Sequence, residues 1–140
     1  MSGGPVDRLV LDVGGVGFEL SVAHSTLMSG GQPGDDVTVH VSLAIRESEW
    51  TLFGFGQQEE RQLFMLLQSV TGIGPRLALA LVGTLGVDTL VEAVLTENQK
   101  MISQAPGVGA KVAQRIILEL KSKIEDFAGT RTANRSESPT

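Results

Sequence analysis

Polarity along this chain follows two periods. Up to about residue 56 apolar and polar positions alternate, and from Gln57 onward apolar residues recur every third or fourth position. Period two marks a half-buried strand; period 3.6 marks a helix with one buried face. Residues 8–13 and 16–20 read as strands around Gly14-Gly15, a two-residue turn suited to positive φ. His24 to Met28 is a candidate helical turn, and residues 30–35 have the composition of a loop. Residues 37–43 alternate strictly, residues 50–55 pair back onto them, and Arg46-Glu47-Ser48-Glu49 forms a charged tip between the two. Short antiparallel strands joined by glycine turns point to a small β-barrel of the OB-fold type.

After Gln57 the pattern is helical. Leu63, Leu66, Leu67 and Val70 share one face of a first helix. A second starts at Pro75, a first-turn position where a missing N–H leaves nothing unpaired. Val87, Leu90, Val91, Val94 and Leu95 form a further stripe, with Asp88 at its dipole-favoured start. Ala113, Ile116, Ile117, Leu120 and Ile124 line a last helix, and beyond Asp126 the chain is polar without a core pattern. The fold class read from this is α+β. A small β-barrel occupies residues 1–56, an all-α unit residues 57–124, and a flexible linker or tail residues 125–140.

The all-α unit contains one phrase twice. Gly72-Ile73-Gly74-Pro75-Arg76 and Gly107-Val108-Gly109-Ala110-Lys111 lie 35 residues apart. Each follows a turn signal, opens a helical run and places a cation two residues after its second glycine. That is the grammar of a helix-hairpin-helix, here in tandem. Glycine at Gly72, Gly74, Gly107 and Gly109 permits positive φ and keeps side chains out of the approach path. Turn N–H groups beside the positive end of the next helix then suit a phosphate oxygen. Arg76 and Lys111 can add charge-assisted bonds from the first helical turn, and Arg115 can reach a neighbouring phosphate. None of these contacts reads a base, so sequence-independent DNA binding is expected. The plain alternative is a pair of αα-hairpins whose glycines only make tight turns; the duplication with matching cations favours phosphate binding.

Net charge is −5, which taken alone argues against nucleic acid. Its distribution changes that. Residues 1–60 hold nine acids and two bases, whereas residues 98–124 hold five bases against Glu119 alone. Local potential steers a phosphate backbone. Cysteine is absent, which excludes disulfides and thiolate zinc sites. His24 and His40 have no evident ligand set, and Leu77 and Val112 stand where a dinucleotide fingerprint has its third glycine. No Gly-Lys-Ser or Gly-Lys-Thr occurs. No cofactor, metal or catalytic residue is expected. The first seven residues lack a signal-peptide pattern, and an apolar run of about 18 residues is not evident. No membrane partner and a cytoplasmic location are therefore expected.

These residues, in this order from Leu9 to Ile124, resemble the RuvA family. The resemblance is carried by Leu-Asp-Val-Gly-Gly-Val-Gly-Phe-Glu-Leu at 11–20, by Arg46-Glu47 ahead of Leu52-Phe53-Gly54-Phe55, by Glu59-Glu60-Arg61 with Leu63-Phe64, and by both hairpins. It implies an OB-fold followed by two hairpins, assembled as a homotetramer that binds four-way (Holliday) junction DNA in recombination, repair and the SOS response. It implies a non-catalytic subunit of a branch-migration helicase complex. The motor ATPase RuvB is a separate chain, and the resolvase RuvC is a further partner of the full-length protein. It also implies an acidic pin near the crossover, carried here by Glu47 and Glu49. Three departures stand out. Met1 to Asp7 does not supply the family's first strand, so the barrel is expected to be incomplete. Ser48 replaces the pin's second acid, with Glu49 one place further on. The chain stops in the linker before the motor-docking domain, so motor docking is not expected of it. Two rival readings stay open. A helix-hairpin-helix DNA glycosylase needs a catalytic acid downstream of the hairpin, where only Glu119, Glu125, Asp126 and Glu137 stand. A tandem-hairpin scaffold module would bind without junction specificity.

Overall fold

The computed structural model describes residues 6–137. Four strands come first: β1 (Val6–Val13), β2 (Val16–Ala23), β3 (His40–Arg46) and β4 (Glu49–Phe55), with the short helix α1 (His24–Ser29) between β2 and β3. They form one sheet in the order β1-β2-β4-β3. The β1–β2 hairpin turns on Gly14 and Gly15, both at positive φ, which a side chain would oppose. β3 and β4 pair antiparallel from His40↔Phe55 to Arg46↔Glu49. β2 and β4 run parallel and meet only at Ser21↔Phe53 and Val22↔Gly54.

The expected barrel is an open, OB-like sheet. Among the described residues no strand joins β1 to β3, so the face that a closed barrel would bury is only partly covered. Leu20 and Val22 are buried on it, while Phe18, Leu43, Ile45 and Trp50 are exposed. From the sequence no strand is expected over Met1 to Asp7; Met1 to Pro5 lie outside the described residues, and Val6 and Asp7 belong to β1. β3 also starts three residues later than the alternation predicts. Val39 does not join the ladder but packs over Gly54, where it leaves no room for a β-carbon.

The helices are α2 (Gln58–Leu67), α3 (Pro75–Leu95), α4 (Gln99–Ile102) and α5 (Ala110–Glu137). Glu59 and Glu60 stand in the first turn of α2, where the dipole favours acids, and the Gln57 N–H donates to Glu60 at 3.0 Å. Phe64 on α2 sits between Phe53 and Phe55 of β4, with ring centroids 5.2 and 4.8 Å away. Arg61 Nε donates to the Val41 carbonyl of β3 at 2.7 Å. One core therefore runs from the sheet into the helices, through Phe53, Phe55, Leu63, Phe64, Leu79, Leu90, Ile116 and Leu120. The opposite face of the sheet from Phe18 and Trp50 is thus the one that seats the helical unit.

Two expectations about α3 and α5 change. By length and composition alone α3 could cross a membrane, contrary to the expected lack of such a run. Gly86, at φ 78 and ψ 166, breaks it into two segments, and Leu79, Leu81, Leu90 and Val94 are fully buried core residues. The segment from residue 125, read as a flexible linker or tail, continues α5 as helix to Glu137. Charge anchors it beyond a short apolar contact: Arg131 bonds both Glu59 at the start of α2 and Asp88 in the second segment of α3. Phe127 packs beside the core and under the Arg131 guanidinium.

Candidate nucleic-acid interface

The two glycine phrases fold alike. In the first hairpin, between α2 and α3, the Ile73 N–H donates to the Val70 carbonyl at 3.1 Å. In the second, between α4 and α5, the Val108 N–H donates to the Ala105 carbonyl at 3.1 Å. Ile73 and Val108 point inward, each 5% exposed, and plug the turn into the core. Burying that middle side chain turns the flanking glycines outward. The helix after each turn begins with a matching bond, Ala78 N–H to the Gly74 carbonyl and Ala113 N–H to the Gly109 carbonyl, both 3.0 Å.

The four glycines do different jobs. Gly72 and Gly107 lie at φ +90 and +85, where only glycine is unstrained. Gly74 is extended, at φ −94 and ψ −177, and Gly109 has no positive φ either, so the expectation of positive φ at all four is corrected. Gly109 leaves open space ahead of a helix N-terminus, and Gly74 leaves room for a guanidinium. Nothing lies within 4 Å of a β-carbon built at Gly109. At Gly74 a β-carbon would collide with the guanidinium of Arg46.

Arg76 and Lys111 are exposed on the first turns of α3 and α5, and among the described residues neither forms a salt bridge. Their charges remain available beside the unpaired N–H groups of two helix starts. Arg115 does not join them. Its Nη1 donates to the Thr71 carbonyl of the first hairpin at 3.1 Å, and its Nε faces Glu119 at 4.0 Å. In the DNA-free chain this side chain therefore reaches back to a turn 44 residues earlier, where the sequence alone predicts a reach toward a neighbouring phosphate. Lys121 is also neutralised, by Glu97. That contact holds the Glu97 carboxyl below its ordinary range, through the hydrogen bond first and the ammonium charge second, and raises Lys121 by the same causes.

The charged tip lies near the first hairpin. A cleft of about 390 Å³ is lined by Arg46, Glu49 and Thr51 from the sheet and by Gly72, Gly74 and Arg76 from the hairpin. Glu49 faces Arg46 across the last rung of the β3–β4 ladder. Glu47 occupies the turn itself, at φ 49. Arg46 went unrecognised as a site residue; its signal was its place beside the two acids. Glu49 stands 23 positions before Gly72 in sequence and joins it in the cleft only through the fold; Glu47 lies on the adjacent turn and does not line the cleft. Among the described residues no three His, Asp or Glu side chains converge as metal ligands.

Comparison with known proteins agrees with this arrangement. Residues 5–54 match the family described as RuvA N terminal domain, and residues 64–122 match the SAM-like helix-hairpin-helix tandem. The chain is similar to the Holliday junction branch migration complex subunit RuvA of Synechococcus elongatus, 45% identical over 119 residues, covering 85% of this chain and 58% of that protein. The protein of that name from a Synechocystis strain is 48% identical over 120 residues, 85% of this chain and 57% of that protein. The one from Nitrobacter winogradskyi is 42% identical over 122 residues, 87% of this chain and 60% of that protein. The chain thus spans a little under three-fifths to three-fifths of the length of these curated relatives. With both domains matched in order and the hairpins folded as described, the chain belongs to the RuvA family.

Proposed function

We propose that this chain binds four-way junction DNA without sequence preference, as a non-catalytic subunit of a branch-migration complex in recombination and repair. The single observation that carries the reading is the duplicated hairpin, with its repeated turn bond, its glycines and the exposed cations Arg76 and Lys111, which form no salt bridge among the described residues. Gly72, Gly74, Gly107 and Gly109 are the phosphate cradles, and Glu47 and Glu49 are the acidic pin that keeps crossing strands apart. The cleft that brings Glu49 beside Gly74 and Arg76 supports the pin, because repulsion and grip then act on one strand.

A homotetramer of such subunits multiplies two weak grips into an avid site for a fourfold junction. The relatives' printed name, subunit of a branch migration complex, supports a motor partner for the full-length protein. The family resemblance makes RuvB that ATPase and RuvC a resolvase partner, while docking of the motor is not proposed for this chain. A cytoplasmic location follows from that work on DNA. Residues 1–56 and 57–124 serve the reading as pin-bearing and gripping units.

A gel-shift competition between a four-way junction and linear duplex of equal length tests it. Junction binding at much lower protein concentration, with affinity falling steeply as salt rises, is expected. Equal affinity for the two DNAs at moderate salt rejects it.

A further inference from the structure

We propose that Arg115 and Glu119 are positioning residues for the first hairpin and not phosphate ligands of the second; the proposal rests on reading the hairpins as phosphate sites. Both polar groups of one residue are held from α5. The Thr71 N–H donates to Glu119 Oε1 at 3.3 Å, and the Thr71 carbonyl accepts from Arg115 Nη1 at 3.1 Å. Arg115 and Glu119 stand one helical turn apart and face each other at 4.0 Å, so they grip as a unit. Thr71 directly precedes Gly72, the residue at φ +90 on which the turn depends. Arg115 Nη1 lies 3.2 Å from the place of a β-carbon at Gly72, so the guanidinium packs on the turn itself.

The second hairpin has no such clamp and does not need one. The residue 35 positions after Thr71 is Pro106, whose ring fixes φ and which has no N–H to satisfy. The residues 35 positions before Arg115 and Glu119 are Ala80 and Thr84, which cannot form an ion pair. What proline supplies covalently in one hairpin, an ion pair from the neighbouring unit supplies in the other. The dependence runs one way: the first grip is shaped only when α5 is folded against it. Arg115, turned onto the Thr71 carbonyl, makes no phosphate contact on this reading and so adds little to the salt slope with or without Glu119.

The two roles give opposite signs for one variant. If Arg115 were a phosphate ligand, Glu119→Ala would remove a repelling acid beside it and strengthen junction binding. As a clamp, Glu119→Ala weakens binding at least fivefold and leaves the slope of log affinity against log salt unchanged. Amide hydrogen exchange on the DNA-free chain reads the clamp directly. Glu119→Ala and Arg115→Ala speed exchange at residues 71–73 and leave residues 107–109 as in the parent. Thr71→Pro, which copies the second hairpin, makes junction binding insensitive to Glu119→Ala. Stronger or unchanged binding by Glu119→Ala, or unchanged exchange at residues 71–73, overturns the proposal. If the parent chain fails to bind any junction, the proposed function falls, and the exchange measurement still decides the clamp.

Discussion

Gly72 and Gly107 hold the same left-handed backbone, φ +90 and +85, in turns 35 residues apart. A β-carbon at either would be strained, and each has a near neighbour, Arg115 Nη1 at 3.2 Å and Leu77 Cδ1 at 3.3 Å. The neighbours cross over: the first hairpin is touched from α5 and the second from α3. The first hairpin is thus held by an ion pair from α5, whereas the second meets α3 only through the apolar Leu77 side chain.

Gly72→Ala and Gly107→Ala should each cost about 1–2 kcal/mol of stability, the penalty of a left-handed non-glycine residue. Urea unfolding of the free protein measures it. A loss below about 0.5 kcal/mol at both positions would mean that the turns relax freely.

Gly109 separates grip from stability. Its φ is not positive and the space around it is open, so Gly109→Val should leave the urea midpoint nearly unchanged while blocking the approach of a phosphate. Lys111→Ala should weaken junction binding by about 1 kcal/mol and flatten the salt slope by about one. Arg76→Ala should do the same at the first hairpin. Competition gel shifts across a salt series check all three, and an unaltered slope for Lys111→Ala would place that ammonium in bulk solvent.

The repeat was legible because glycine, an apolar plug and a cation recur at fixed offsets, and those residue types follow from the turn's own geometry. Gly14-Gly15 announced the first β-hairpin for the same reason. What stayed hidden were contacts between distant segments. Nothing in the sequence around Arg115 says that it reaches back to Thr71. Nor does the polar composition after residue 124 reveal a helix, since beyond the short apolar contact of Phe127 and Ala128 it is Arg131 that anchors it, through Glu59 and Asp88. The three-residue shift of β3 arose because alternation continues through Val37 and Val39, yet Val39 is used to cover Gly54. Alternation records which side chains face a core and not whether the backbone is paired.

Arg131 gives a test of that extension. Its side chain is 11% exposed and joins three helices, so Arg131→Met should lower stability by about 1–2 kcal/mol, the usual cost of losing hydrogen bonds to charged partners. It should also melt helix beyond Phe127, read as lost ellipticity and faster exchange at residues 128–137. Unchanged exchange there would show that α5 holds its last turns without the bridge.

The Glu97–Lys121 pair sets a pH expectation. The carboxyl is depressed, so its contribution is complete above the unfolded-state value and is lost as pH falls through the lower folded value. The ammonium is raised, so its contribution is complete below the unfolded-state value and is lost as pH rises through the higher folded value. Between these limits the pair makes stability flat in pH, and salt screens it. Carboxyl NMR titration should find Glu97 below the ordinary glutamate value, and Lys121→Met should return it there. A normal Glu97 midpoint in the parent chain would remove the pair.

The acidic tip should act on selectivity more than on affinity. Glu49 lines the cleft that Gly74 and Arg76 border, and Glu47 holds the adjacent turn in a left-handed conformation that glycine or asparagine would adopt more easily. An acid kept at such a position, beside a grip for phosphate, repels any strand that crosses the tip. On the proposed reading, continuous duplex would have to cross it, whereas the separated strands of an open junction would pass on either side. Replacing both acids, Glu47→Gln with Glu49→Gln, should therefore raise duplex affinity several-fold and narrow the junction-to-duplex ratio. Ser48→Asp, which adds a carboxylate between them, should widen that ratio. Glu47→Gly supplies the control for backbone effects, because it relieves the turn by about 1 kcal/mol while deleting one charge. If the double glutamine variant bound junction and duplex in the same ratio as the parent, the tip would be a solvated turn and the discrimination would have to come from the hairpins alone.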